Sequence, residues 1–261
     1  REVVRPYLAD IPGVDGLAYR AEEAALIRTL LRCVRDDTPL TAVDVLAERE
    51  SDDSGAAGAY QTPQPLAELM ADLLTRPGEP FPASVFDPAC GAGHLLVAAA
   101  QRGARELYGQ DLVPTRATQA AVRLGLATPT ATTRFRAGDS MRDDAFPSLA
   151  AEAVLCAPPY GDRDWGHEEL AYDPRWVYGL PPKGEPELAW AQHCLTHLAP
   201  GGSAVLLMPP ATAERPAGRR IRAGLLRTGA LRAVVALPPG AAAPLHVGLH
   251  LWLLQRPQPE A

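Results

Sequence analysis

The sequence predicts an α/β fold: a seven-stranded, mostly parallel sheet with an antiparallel edge, preceded by a small helical segment. Three observations predict it. Short apolar runs bounded by Pro or Gly read as buried strands, and the run Ala153–Cys156 is one of them. Helical patterns separate most of these runs, and that alternation builds a parallel sheet. The last two runs, Leu231–Leu237 and Val247–Leu254, are joined by a loop opening on Pro238-Pro239-Gly240, with no helix between them. That is how an antiparallel edge is added to a parallel sheet.

The elements follow in order. Arg1 to Val34 reads as helical, with Leu26, Ile27, Leu30, Leu31 and Val34 at helical spacing. Thr41–Glu48 suits a second helix capped by Thr41. Glu50–Gly58 is acidic, small and rich in turn formers, a linker composition. Two units are therefore expected: a helical segment with linker over 1–58 and a core over 59–261. Tyr60-Gln61-Thr62-Pro63 opens that core, with Thr62 as the expected N-cap and Pro63 at the first helical position. Leu66, Leu69, Met70, Leu73 and Leu74 mark the apolar face of the helix that follows.

Ser84–Phe86 is a short strand, Asp87-Pro88-Ala89-Cys90-Gly91-Ala92-Gly93 a glycine-bearing turn, and His94–Gln101 a helix. This order lets a nucleotide-like ligand approach backbone N–H groups at a helix N-terminus. Leu96 stands where a dinucleotide fingerprint has its third glycine, and an acid opens the turn. Both features argue against a pyrophosphate and for an adenosyl ligand carrying positive charge. Leu107–Asp111 ends a second strand about twenty residues on, where an acid takes ribose hydroxyls. Thr115–Leu126 is an amphipathic helix, and Thr133–Ala137 a strand leading to Gly138-Asp139-Ser140. Asp139 also suits a plain turn cap.

Ala157-Pro158-Pro159-Tyr160 closes the fourth strand with a stiff turn and an exposed ring. A long loop over 161–185 carries Trp165, Tyr172, Trp176 and Tyr178 and is expected to act as a lid or partner surface. Glu187–Leu198 is a helix stopped by Pro200-Gly201-Gly202, and Ala204–Met208 a fifth strand. Arg215–Arg227 is a basic helix whose Arg219, Arg220 and Arg222 suit either a solvated face or phosphate contact.

Bulk properties narrow the class. A chain of 261 residues suits one large domain, or one with a small appendage. A net charge of −6 disfavours a free-standing nucleic-acid binder, while leaving room for a DNA grip in another region or subunit. The four cysteines (Cys33, Cys90, Cys156, Cys194) show no metal spacing and no disulfide pattern, which fits a reducing, cytoplasmic setting. No metal ligand set is read, and no apolar run is long enough to span a bilayer. The chain starts at Arg1 without an initiator Met, and the expectation is a piece of something longer.

The ordered set of motifs resembles the adenine-N6 DNA methyltransferases, most closely the modification subunits of type I restriction systems. The resemblance rests on Tyr60-Gln61-Thr62-Pro63, Asp87 to Gly93, Asp111, Gly138-Asp139 and Ala157 to Tyr160, and covers about Tyr60 to Gln255. It implies a Rossmann-like class I S-adenosylmethionine-dependent fold lacking its target-recognition region. It implies cofactor contacts from Asp87, Ala89, Gly91 and Gly93, ribose contact from Asp111, and Asp139 near the adenine ring. Tyr60 and Thr62 would border the methionine end, and Tyr160 would stack on a target base flipped from the duplex. DNA is the implied partner, reached through additional regions or a specificity subunit, with Arg219, Arg220 and Arg222 as backbone contacts.

One position departs from the family pattern. Ala157 stands where the family carries Asn, Asp or Ser, whose oxygen accepts a hydrogen bond from the target amino group. Losing one pre-organised contact of this kind costs about a hundred- to a thousandfold in rate. The sequence therefore leaves three outcomes open: a slow enzyme, an enzyme with a substituted acceptor such as water, or a module that binds cofactor and DNA without catalysis. An amino group on RNA or on a glutamine side chain is a further substrate that such a site suits.

Overall fold

The computed structural model describes residues 61–242 and 248–258. The helices expected over Arg1–Val34 and Thr41–Glu48, the linker and Tyr60 lie outside the described residues. The described elements run α1 (Gln64–Asp72), β1 (Ser84–Asp87), α2 (His94–Gln101), β2 (Glu106–Asp111), α3 (Pro114–Ala127), β3 (Thr132–Ala137) and β4 (Ala151–Cys156). They continue with α4 (Pro186–Thr196), β5 (Leu198–Met208), α5 (Ala211–Glu214), α6 (Arg219–Arg227), β6 (Leu231–Ala236) and β7 (His250–Gln255).

The strands form one seven-stranded sheet in the order β3-β2-β1-β4-β5-β7-β6. β1 pairs in parallel with both β2 and β4, and the order reverses between β1 and β4. Such a reversal opens a crevice at the C-terminal strand ends. The closing pair forms the expected antiparallel edge, with β7 inserted between β5 and β6 and antiparallel to both.

Period-2 alternation sends neighbouring residues of the inner strands into two cores. Val85, Leu107, Leu155, Val205 and Leu251 face Leu66, Met70, Leu96 and Leu124 of α1, α2 and α3. Phe86, Val154, Leu206 and Trp252 face Leu188, Leu195, Ile221 and Leu225 of α4 and α6. The central strands β1 and β4 and the second half of β5 are buried on both faces, which is why they read as continuous apolar runs, whereas the edge strands β3 and β6 keep most of their residues at least partly exposed.

Several expectations shift by local chemistry. Thr62 does not cap α1; Pro63 takes the N-cap place and Gln64 is the first helical residue. Pro200-Gly201-Gly202 does not separate helix from strand, because β5 already begins at Leu198 and absorbs the three residues as an irregularity against β4. The basic helix begins at Arg219, not Arg215, with Pro216 and Gly218 intervening after the short α5. The loop over 161–185 is not a free lid. Trp165 and Trp176 are buried in the second core with ring centroids 5.6 Å apart, while Tyr172 is fully exposed. Trp165 Nε1 donates to the Lys183 carbonyl at 3.2 Å and Trp176 Nε1 to the Leu170 carbonyl at 2.5 Å. Indole rings are large enough to anchor an irregular segment once their N–H finds a partner.

Candidate active site

Four strand ends meet at the crevice. β1 ends at Asp87, β2 at Asp111, β3 at Ala137 before Gly138-Asp139, and β4 at Cys156 before Ala157. The register places Asp87 beside Gly109, and Asp111 beside Ala137. The acids named from the sequence thus line one rim.

Asp87 is 1% exposed. Its Oδ1 accepts the Ala89 N–H at 3.0 Å, while its Oδ2 is buried without a hydrogen-bond partner. Burial pushes its carboxyl well above the usual range; the Ala89 bond opposes this and the Asp111 charge reinforces it. Asp111 is pushed up by burial as well, against the pull of the two backbone bonds it accepts. Those bonds come from Gly91 N–H to Oδ2 at 2.8 Å and Val113 N–H to Oδ1 at 2.9 Å. Each Asp111 oxygen keeps acceptor capacity beyond that one bond.

The turn between β1 and α2 needs its glycines. Gly91 has φ +50 and a Cβ there would meet nothing within 4 Å, so its backbone faces open space. Gly93 has φ +88 and is the N-cap of α2, where a Cβ would press on the Ala120 backbone at 3.1 Å. Only glycine takes this conformation freely. Gly109, by contrast, is required by contact: a Cβ would fall 2.5 Å from the Phe135 ring and 3.0 Å from Cys90 Sγ. Arg123, buried on α3, donates its Nε–H to the Ala92 carbonyl at 2.8 Å and secures the turn from behind. Sequence reading passed over Arg123, because an arginine within an amphipathic helix gives no sign of facing inward.

The segment before α1 closes the rim. Thr62 is buried, and the Gln61 amide nitrogen lies 2.6 Å from His94 Nε2 at the start of α2. Leu112, next to Asp111, is 68% exposed and gives the rim an apolar surface that sequence reading also missed.

Asp139 behaves differently from the other two acids. Its Oδ1 accepts the N–H groups of Met141 at 2.8 Å and Arg142 at 3.2 Å, and its Oδ2 pairs with Arg142 Nη1 at 2.9 Å. Arg142 also reaches Asp164 and Glu169 of the long loop at 3.1 and 2.8 Å. Ala89 sits on the turn with its amide held by Asp87.

At the β4 end, Ala157 is half-buried and Pro158 buried, while Pro159 is exposed. Tyr160 is half-buried, and its hydroxyl donates to the Leu207 carbonyl of β5 at 3.1 Å. The ring packs against the first core and is fixed at its outer end by that bond.

Of the three arginines of the basic helix named from the sequence, Arg219 and Arg220 are exposed. Arg222 is not available as a phosphate contact. It turns inward to Glu185 Oε2 at 3.4 Å, to the Thr212 carbonyl at 3.1 Å and to the Arg215 carbonyl.

One polar cluster was invisible in the sequence. Asp144, His193 and His197 bring ligand-type atoms within 4.8 Å of one another. Arg175 donates to His193 Nδ1 at 2.9 Å and to the Met141 carbonyl at 2.6 Å. That guanidinium places a fixed positive charge on the cluster, which opposes a bound cation. Burial first, then His197 and Arg175, push His193 well below the ordinary histidine range. The cluster ties α4 to the turn after β3. No helix among the described residues is long and apolar enough to cross a membrane.

Parallel strands with acids at the tips of β1, β2 and β3, a glycine turn and a reversed seventh strand define the class I S-adenosylmethionine-dependent methyltransferase fold. Solved structures agree. A type I restriction-modification methyltransferase subunit from Streptococcus thermophilus superposes with TM-score 0.69 at 24% identity, covering 78% of this chain and 46% of that one. A class I S-adenosylmethionine-dependent methyltransferase from Listeria monocytogenes superposes with TM-score 0.65 at 16% identity, over 85% of this chain and 68% of that one.

The N-6 DNA methylase family model matches residues 44–261, and the chain belongs to that family. The type I restriction enzyme HindI methylase subunit of Haemophilus influenzae is 29% identical over 77% of this chain and 46% of its own length. The MjaIX methylase subunit of Methanocaldococcus jannaschii is 30% identical over 78% of this chain and 38% of its own length. The chain spans less than half the length of these curated relatives.

Proposed function

We propose that this chain is the catalytic core of an S-adenosylmethionine-dependent methyltransferase acting on the exocyclic amino group of adenine in DNA, as the modification component of a restriction–modification system. The observation that carries it is the buried, unpartnered Oδ2 of Asp87 beside the open backbone of Gly91 and one strand from Asp111. A buried carboxylate oxygen without a donor is costly. A cationic ligand with an ammonium group and two ribose hydroxyls relieves that cost, and a phosphate would aggravate it.

When bound, S-adenosylmethionine supplies a methyl on a positively charged sulfur, poised for in-line transfer. Asp87 holds the ammonium end, with Ala89, Gly91 and Gly93 giving close backbone approach and Tyr60 and Thr62 bordering the methionine. Asp111 takes the ribose hydroxyls, and Leu112 packs beside the adenine. Asp139 lies near that ring; its carboxylate caps its own turn, so a contact there needs Arg142 to yield. The Pro158 carbonyl accepts from the target amino group, and Tyr160 presents a stacking face to the flipped base. The protein works in the cytoplasm, and DNA contact comes from regions or a subunit beyond this core, aided by Arg219 and Arg220.

A second reading is a module that binds cofactor and DNA without transfer; Ala157, which offers no acceptor, favours it. Sequencing native DNA with and without the gene tests the function. Methylated adenine at one sequence motif that vanishes on deletion is expected. Identical adenine methylation in both strains contradicts the reading.

A further inference from the structure

The turn that carries Tyr160 is held from two sides. From β5, the Leu207 carbonyl takes the Tyr160 hydroxyl. From α4, Glu187 Oε1 accepts the N–H of Gly161, the next residue, at 3.0 Å. Gly161 has φ +68 and a Cβ there would meet nothing within 4 Å, so this residue itself is not held by packing at its Cα. The Glu187 carboxylate is the polar anchor of its amide.

Glu187 is itself placed with care. It is 1% exposed and occupies the second position of α4, after Pro186. A helix N-terminus favours a carboxylate, and that alone would explain a half-exposed glutamate. It does not explain full burial. Oε2 is buried without a hydrogen-bond partner, and the nearest cation, Arg215 Nη1, stands 3.9 Å away. A buried carboxylate with one hydrogen bond and a cation only at 3.9 Å is weak support for stability, so the Gly161 bond is the specific contact that its position secures.

We infer that Glu187 is a positioning residue for methyl transfer: it fixes the Gly161 amide and so sets the orientation of Tyr160 and the Pro158 carbonyl. The inference rests on the proposed function. It gives the turn a second support where Ala157 provides no side-chain hydrogen bond of its own. The polar partners of Glu187 among the described residues are the Gly161 amide and Arg215, neither of which is on the Asp87 turn, so its loss is expected to leave cofactor affinity unchanged.

The test uses the full-length protein with its native partner subunits, as wild type, Glu187→Ala and Glu187→Gln, each also with Ala157→Asn. Tritiated S-adenosylmethionine and DNA from a host lacking the system report transfer. Hydrogen exchange reports the Gly161 amide. Glu187→Ala is expected to lower kcat by about a hundredfold, as for a misplaced reacting group, with KM for S-adenosylmethionine unchanged. The Gly161 amide is expected to exchange about tenfold faster, the scale of one lost hydrogen bond. Glu187→Gln keeps the acceptor oxygen and should restore both. An unaltered Gly161 exchange rate in Glu187→Ala overturns the inference whatever the activity. So does a matched loss in kcat and cofactor affinity, or a Gln variant as impaired as Ala. Silence of all forms with Gly161 still responding to Glu187→Ala counts against the methyltransferase reading, and it overturns the catalytic part of the inference.

Discussion

The β1–β2 end and the β4 end of the crevice carry opposite kinds of imperfection. At the β1–β2 end, capacity is left over: Asp87 Oδ2 has no partner, Asp111 keeps acceptor sites, and Gly91 faces open space. At the β4 end the groups are already engaged: the Tyr160 hydroxyl is bonded to Leu207, the Gly161 amide to Glu187, and Ala157 offers nothing. One end is built to receive a polar cation, and the other to hold a rigid shape. On the proposed function, the difference separates cofactor binding, for which acceptors are left over, from transfer, for which Ala157 supplies no acceptor.

The largest effect is expected where the missing acceptor is restored. Ala157→Asn should raise methyl incorporation into DNA by about a hundred- to a thousandfold, measured with radiolabelled cofactor. An unchanged rate would mean that the β4 end lacks more than an acceptor.

Asp87 sharpens the contrast from the other side. Asp87→Asn keeps an acceptor for the Ala89 N–H and removes the buried charge, so it should stabilise the free protein by about 1–3 kcal/mol at neutral pH. The sign follows from the raised carboxyl. A group whose folded pKa lies above its unfolded value binds more protons when folded, so the wild type loses stability as pH climbs from the ordinary value of 3.8 toward the folded one. The Asn variant should lack that loss, and thermal melts across pH check it. The same variant should shrink the rise in melting temperature produced by S-adenosylmethionine, which for wild type at a hundredfold excess over Kd corresponds to about 2.7 kcal/mol.

Gly109→Ala tests the packing beneath the β1–β2 end. The added methyl meets the Phe135 ring and Cys90 Sγ, so a loss of about 1–3 kcal/mol is expected by denaturant titration. The smallest effect belongs to Tyr160→Phe. It removes one hydroxyl bond to Leu207 and leaves the stacking face, costing about 1 kcal/mol of stability with methyl transfer lowered far less than by Tyr160→Ala.

Much of the frame was legible in the sequence, because buried strands, glycine turns and terminal acids each leave a local signature. Asp87, Asp111 and Asp139 fall at strand ends as their spacing implied. What stayed hidden depends on contacts between segments far apart in the chain. Glu187 meets Gly161 across 26 positions and Arg123 meets Ala92 across 31, and no periodicity reports such a pairing. Arg222 looked like its exposed neighbours until its turn toward Glu185 was seen. The aromatics of the 161–185 loop suggested a surface, but Trp165 and Trp176 pack inward since the second core had room for them. Composition alone could not separate those two from the exposed Tyr172.

Calorimetric titration of the chain with S-adenosylmethionine tests the central claim most directly. Saturable binding at one site per chain is expected, weakened by at least tenfold in Asp87→Asn and Asp111→Ala, by the loss of charge-assisted hydrogen bonds, and unchanged in Ala157→Asn. Absence of binding at millimolar cofactor, or binding indifferent to both acids, would contradict it.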